Sequence, residues 1–130
     1  MDQSFLEQVK GIISRDERYP SEAYAFVMEA LGHAQKIFER GHHISGEELV
    51  EGCVALAVKK FGPLAWNVCS FWGMLSTEDL GRIVFNMVDA GVLARREEDT
   101  FDSFSRGVIF EAELMKKYTS QLESSARKFR

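Results

Sequence analysis

The chain has 130 residues, 45% of them hydrophobic and 28% charged, with a formal net charge of −4. That is the composition of one ordinary globular domain, long enough to bury a core without a metal or disulfide. The acidic balance argues against a dedicated nucleic-acid binder, whose domain is usually basic. The first residues, Met1-Asp-Gln-Ser-Phe-Leu-Glu7, have neither a basic start nor an apolar run, and no stretch approaches the ~20 apolar residues of a membrane span. A cytoplasmic location with Cys53 and Cys69 as reduced thiols is the expectation.

Phe5, Leu6, Val9, Ile12 and Ile13 fall at helical spacing and predict a first helix over 2–13. The charged run Arg15-Asp-Glu-Arg18 follows as a connector. Pro20 suits the first position of a second helix, where its missing N–H costs nothing. Tyr24, Val27, Met28, Leu31 and Phe38, widened by Phe26 and Ile37, predict a helix buried on more than one side. Gly32 in its middle is expected to permit close packing against another helix or to mark a bend. Gly41-His-His-Ile-Ser-Gly46 breaks that helix, and Ser45-Gly-Glu-Glu48 reads as a capping box opening a third, with Leu49, Cys53, Leu56, Ala57 and Phe61 inside. Gly62-Pro63 then starts a short helix to Trp72 that is apolar nearly all round, and so is expected to be largely core.

Leu75 to Leu93 carries the most complete helix signal in the chain. Ser76 and Asp79 offer a second capping box, Leu80, Ile83, Val84, Met87 and Val88 form the apolar face, and Gly91 is the expected left-handed stop. This helix is expected to be the spine of the domain. In both capping boxes an apolar residue precedes the cap and another follows at the fourth helical position, Ile44 with Leu49 and Leu75 with Leu80, the hydrophobic-staple pattern. Two strands near 92–96 and 106–110 are expected next, then a last helix from Glu111. The domain boundary is placed at 123, with 124–130 as a basic, frayed tail.

The fold class expected is therefore mainly α: a single compact helical domain with a small β-hairpin and a winged-helix-like second half. A helix-turn-helix over 63–90 followed by a hairpin is the arrangement of a winged-helix DNA binder. The second helix, however, offers Glu78, Asp79, Asn86 and Asp89 against one Arg82, and the would-be wing Arg95-Arg-Glu-Glu-Asp99 neutralises itself. A metal site would draw on His33, His42, His43, Cys53 and Cys69, which lack the close spacing of zinc ligands. No cofactor is implied, and nothing pairs a nucleophile with a base.

What remains is surface. Arg18-Tyr19 precedes Pro20 as an extended dipeptide, either an aromatic lid with Arg18 paired to Asp16 or Glu22, or a recognition edge. Together with Arg82, Asn86 and Asp89 on the polar side of the central helix, it forms the expected interaction surface. The leading reading is a non-catalytic protein–protein interaction module, with self-association as one form. A winged-helix nucleic-acid binder and a small-molecule enzyme are the alternatives.

Four segments carry a family resemblance: Arg18-Tyr-Pro-Ser-Glu-Ala-Tyr-Ala-Phe-Val27, Ser45-Gly-Glu-Glu-Leu-Val-Glu-Gly52, Phe61-Gly-Pro-Leu-Ala65 and Trp72 to Val88 with its Ser-Thr-Glu-Asp-x-Gly-x-Ile-Val-Phe pattern. Together they resemble an uncharacterised bacterial family of short single-domain proteins, over about residues 2–112. The resemblance implies a bacterial, cytoplasmic chain of conventional fold and carries no functional residue across.

Overall fold

The structure, a computed structural model, describes residues 3–39, 44–93 and 110–127. Among the described residues six α-helices follow one another: α1 (Gln3–Arg15), α2 (Ser21–Ile37), α3 (Gly46–Phe61), α4 (Ala65–Phe71), α5 (Thr77–Asp89) and α6 (Phe110–Arg127), with a 3-10 turn at Gly62–Leu64 between α3 and α4. The mainly helical class holds. Among the described residues there is no helix long and apolar enough to cross a membrane.

The centre of the domain is the pair α2–α3, not α5. On the α2 side, α1 and α5 pack against α2 and against each other. On the α3 side, α4 and α6 pack against α3 and against each other. The reason lies in small residues. Ala30 and Ala34 of α2 meet Gly52 of α3 so closely that a Cβ on Gly52 would sit 2.8 Å from the Ala34 Cβ and 3.0 Å from the Ala30 carbonyl oxygen. Backbones that approach this far gain dispersion contacts along their whole length. Gly32, the glycine expected to permit close packing, has nothing within 4 Å of its would-be Cβ. Helix α5 is a flanking helix whose apolar face, Leu80, Ile83, Val84 and Met87, is wholly buried.

The helix ends follow the sequence signals closely. Ser45 Oγ accepts from Glu48 N–H at 3.1 Å and Glu48 Oε1 accepts from Ser45 N–H at 3.0 Å, a reciprocal box. The first of the two staples is closed, with Ile44 and Leu49 both buried. The second is open, because Leu75 is 48% exposed. Pro20 is the N-cap of α2 rather than its first helical residue. Gly91 adopts φ 79°, and the Val92 N–H reaches back to the Met87 carbonyl at 2.8 Å while Gly91 N–H bonds Val88, a Schellman end. Gly73 closes α4 in the same way, with φ 83° and Met74 N–H on the Cys69 carbonyl at 2.9 Å.

Two further expectations change. Helix α4 is a surface helix: Ala65 and Cys69 are buried, while Phe71 is 85% exposed and Leu64, just before it, 60%. Seven residues give too short a stripe for a second layer to cover both sides. The winged-helix arrangement is not seen: α5 packs on α1 and α2, away from α4, and the described residues hold no strand. Val92 and Leu93 lie in a bend, Phe110 opens α6, and the rest of the expected hairpin and wing, 94–109, lies outside the described residues. Helix α6 runs to Arg127. Its start is pinned by Phe110 N–H on the Leu75 carbonyl at 3.0 Å.

Candidate functional site

The five residues singled out from the sequence come together at one corner, where the loop between α1 and α2 meets the polar side of α5. Asp79, Arg82 and Asn86 stand at i, i+3 and i+7, one stripe of the helix. The loop meets this stripe with Asp16, Arg18 and Tyr19.

Asp16, the first residue after α1, organises the loop. Its carboxylate accepts from Arg18 three times, from the backbone N–H at 3.1 Å, Nε at 2.9 Å and a terminal nitrogen at 2.7 Å. The last two make the forked contact that a guanidinium favours with a carboxylate. Asn86 Nδ2 donates to Asp16 Oδ2 at 3.0 Å and to the Tyr24 hydroxyl at 3.1 Å, so it bridges loop and core. The Arg18 hydrogen bonds hold the Asp16 carboxyl well below the usual carboxylate range against the opposing effect of burial, with Asn86 adding to them. Arg18 is shifted up by the same pairing.

Tyr19 is 2% exposed. Its hydroxyl donates to Asp79 Oδ1 at 2.6 Å, and Arg82 donates to the same oxygen at 3.1 Å. Asp79 Oδ2 accepts the N–H groups of Leu75 at 3.0 Å and Ser76 at 3.2 Å. One carboxylate therefore caps α5 and seats the aromatic ring of the loop. Burial, and then the neighbouring Asp79, push the Tyr19 phenol up to about 12. Tyr19 packs edge-on to Tyr24 with ring centroids 6.4 Å apart, and the Arg18 guanidinium carbon lies 5.9 Å from the Tyr19 ring centre. Asp89 is peripheral, 3.9 Å from Arg15 with both side chains about 60% exposed, a pair that contributes little. Ile12, Arg15, Asp16, Arg18, Asn86 and Asp89 line a shallow cavity of about 380 Å³ over this corner.

The corner is thus a clasp whose polar groups mostly satisfy one another. Tyr19 lies as a buried lid and Arg18 pairs with Asp16, its side chain 59% exposed. Arg82, the basic residue that a DNA-reading α5 would need, is engaged by Asp79 and, at 3.7 Å, by Glu78.

The clasp also fixes the end of α4. At Gly73 a Cβ would lie 3.1 Å from the Arg18 carbonyl oxygen and 3.5 Å from the Tyr19 ring, so the loop rests directly on this glycine. Two residues earlier stands Phe71. Leu64, Phe71 and Leu75 are exposed apolar side chains before, on and after α4, and sequence reasoning missed them. The signal was present, in a short helix apolar nearly all round, but periodicity assigns such a helix to the core.

A groove of about 350 Å³ runs between α1, α2 and the end of α3. Phe26, Phe61 and Trp72 form its aromatic side. Trp72 stands 5.4 Å from Phe26 and 5.9 Å from Phe61, centroid to centroid. Leu6 and Ala25 continue it, Glu22 lies at one end, and the ion pair Glu29–Lys60, 2.8 Å apart, at the other.

The thiols are core. Burial raises Cys53, to which Cys69 adds, and pushes Cys69 up to about 11. Among the described residues no group of three or more His, Cys, Asp or Glu side chains could hold a metal ion. His42 and His43 lie outside the described residues.

No family model, curated protein or solved structure matches the chain.

Proposed function

We propose that the chain is a non-catalytic protein–protein interaction module that docks through the apolar edge of α4. The observation that carries this reading is Phe71, a large apolar side chain 85% exposed on an ordered helix. Single exposed apolar residues are common, but this one stands with Leu64 and Leu75 on either side of it in sequence. Its helix ends in a glycine held against the clasp, so the ring is presented from a fixed base. Covering a phenylalanine this exposed contributes at most about 1.5–3 kcal/mol before the costs of association. That is the size of an interface hot spot. In this reading Arg18, Tyr19, Arg82 and Asn86 support the edge rather than touch the partner.

The test is affinity purification of wild type and of Phe71→Asp from the organism that encodes the chain. A protein recovered with wild type and lost with the variant supports the reading. Equal recovery with both, or none above background with either, overturns it.

A further inference from the structure

We infer that the groove between α1, α2 and the end of α3 binds a small organic cation, an ammonium group carried on a short apolar body. The inference is independent of the docking role proposed for α4. It starts from one stripe of α2. Glu22, Phe26 and Glu29 stand at i, i+4 and i+7, so a carboxylate lies one turn to either side of the ring, and all three residues line the groove. Glu29 is already engaged by Lys60, 2.8 Å away. Glu22 is not. It accepts the neighbouring Ser21 hydroxyl at 2.7 Å and makes no ion pair among the described residues. The groove therefore sets two carboxylates, Glu22 and Glu29, against one ammonium, Lys60, and one negative charge is left uncompensated.

The aromatic side decides which kind of cation fits. Phe61 and Trp72 are half-buried, stand 5.9 Å apart at 79° and so form a corner, with the buried Phe26 behind them, 5.4 Å from Trp72. Ring faces carry negative potential and attract a cation, tryptophan most strongly. A compact inorganic cation would have to give up its water to apolar walls that return no ligand oxygen, which is costly. An alkylated ammonium spreads its charge over methyl or methylene groups, gives up little water, and packs those groups against Leu6 and Ala25. The volume of about 350 Å³ leaves room for such substituents. An anion meets Glu22 and the ring faces, both unfavourable. A neutral apolar molecule gains the packing alone. Because the groove is open and Glu22 is exposed, the affinity is low and the charge preference modest.

The experiment is an NMR titration of the full chain with choline, a quaternary ammonium, and with neohexyl alcohol, in which carbon replaces the charged nitrogen and the shape is kept. Trp72 reports from the groove wall, and Trp66, which does not line the groove, is the internal control. Choline should move the Trp72 signals along a saturating curve with a midpoint of about 10 mM and leave Trp66 in place. The alcohol should bind about tenfold more weakly, the factor expected for an exposed cation–π contact together with one surface ion pair. Glu22→Gln, at an exposed position where the fold is not at risk, should weaken choline about threefold and leave the alcohol unchanged. Equal binding of choline and the alcohol overturns the inference, for the groove would then have no preference for charge. It is overturned as well by the absence of a saturating shift at Trp72 up to about 100 mM choline, or by a Glu22→Gln variant that binds choline as wild type does.

Discussion

Asp79→Ala is the sharpest test of the clasp, because one carboxylate there accepts four donors. Removing it opens the side-chain half of the α5 capping box, which loses the acceptor for the Leu75 and Ser76 N–H groups. A lost N-terminal cap costs about 1 kcal/mol. It also strands the Tyr19 hydroxyl, whose 2.6 Å bond goes to a charged acceptor in a site that is almost closed to water. Bonds of that kind contribute about 1.5–3 kcal/mol. The Arg82 contact adds little, since that side chain is 40% exposed. The expected total is about 3 kcal/mol, or a drop of ~10 °C in Tm for a chain of this length. Urea denaturation of Asp79→Ala, Tyr19→Phe and the double variant isolates the bond itself, with a coupling of about 1.5 kcal/mol expected. Asp79→Asn, which keeps an acceptor but loses the charge, should fall between wild type and Asp79→Ala. A loss below about 1 kcal/mol, or a coupling near zero, would refute the reasoning, for Tyr19 would then be satisfied without Asp79.

Other outcomes follow from the same geometry. Gly52→Ala should destabilise the domain by about 1–3 kcal/mol, because its Cβ would press on Ala34 and the Ala30 carbonyl, whereas Gly32→Ala, with open space around it, should stabilise by about 0.5–1 kcal/mol; thermal melts of the pair decide this. Asp16 has its folded pKa depressed, so its contribution is present above roughly pH 4 and lost as pH falls toward the folded value; Asp16→Asn should flatten the acid limb of stability against pH. Tyr19 has its folded pKa raised, so its contribution is intact below about pH 10 and lost as pH rises toward 12; Tyr19→Phe should remove a late step from the tyrosinate absorbance titration. Phe71→Asp should change unfolding free energy by no more than about 0.5 kcal/mol, since the side chain is exposed.

Much of the helical framework is legible in the sequence because it is written locally. Ser45 with Glu48, Gly73 and Gly91 each fix an end through bonds that span a few residues. What is not legible depends on which surfaces meet. The close seam of α2 and α3 runs through Ala30, Ala34 and Gly52, small residues that carry little periodic signal, while the more conspicuous Gly32 faces open space. The prominence of α5 in the sequence reflects clean caps, not a central place; α2 touches more neighbours with a less tidy pattern. Arg18, Tyr19, Arg82 and Asn86 stand out as polar or aromatic residues at element edges, and they do gather. Asp16 and Asp79 engage them from within the chain; the Arg18–Asp16 pairing is legible locally, whereas the bonds from Tyr19 to Asp79 and from Asn86 to Asp16 join residues 60 and 70 positions apart and leave no local pattern. The apolar run of α4 misleads in the opposite direction, since apolarity records that a surface will be covered without recording by what.

The measurement that bears most directly on the docking role is site-specific photo-crosslinking from position 71 in the living cell, with the crosslinker at the exposed Lys59 as the control. A discrete adduct from position 71 and none from position 59 is the predicted result. No adduct from position 71, or the same adducts from both positions, would contradict a docking role for this edge.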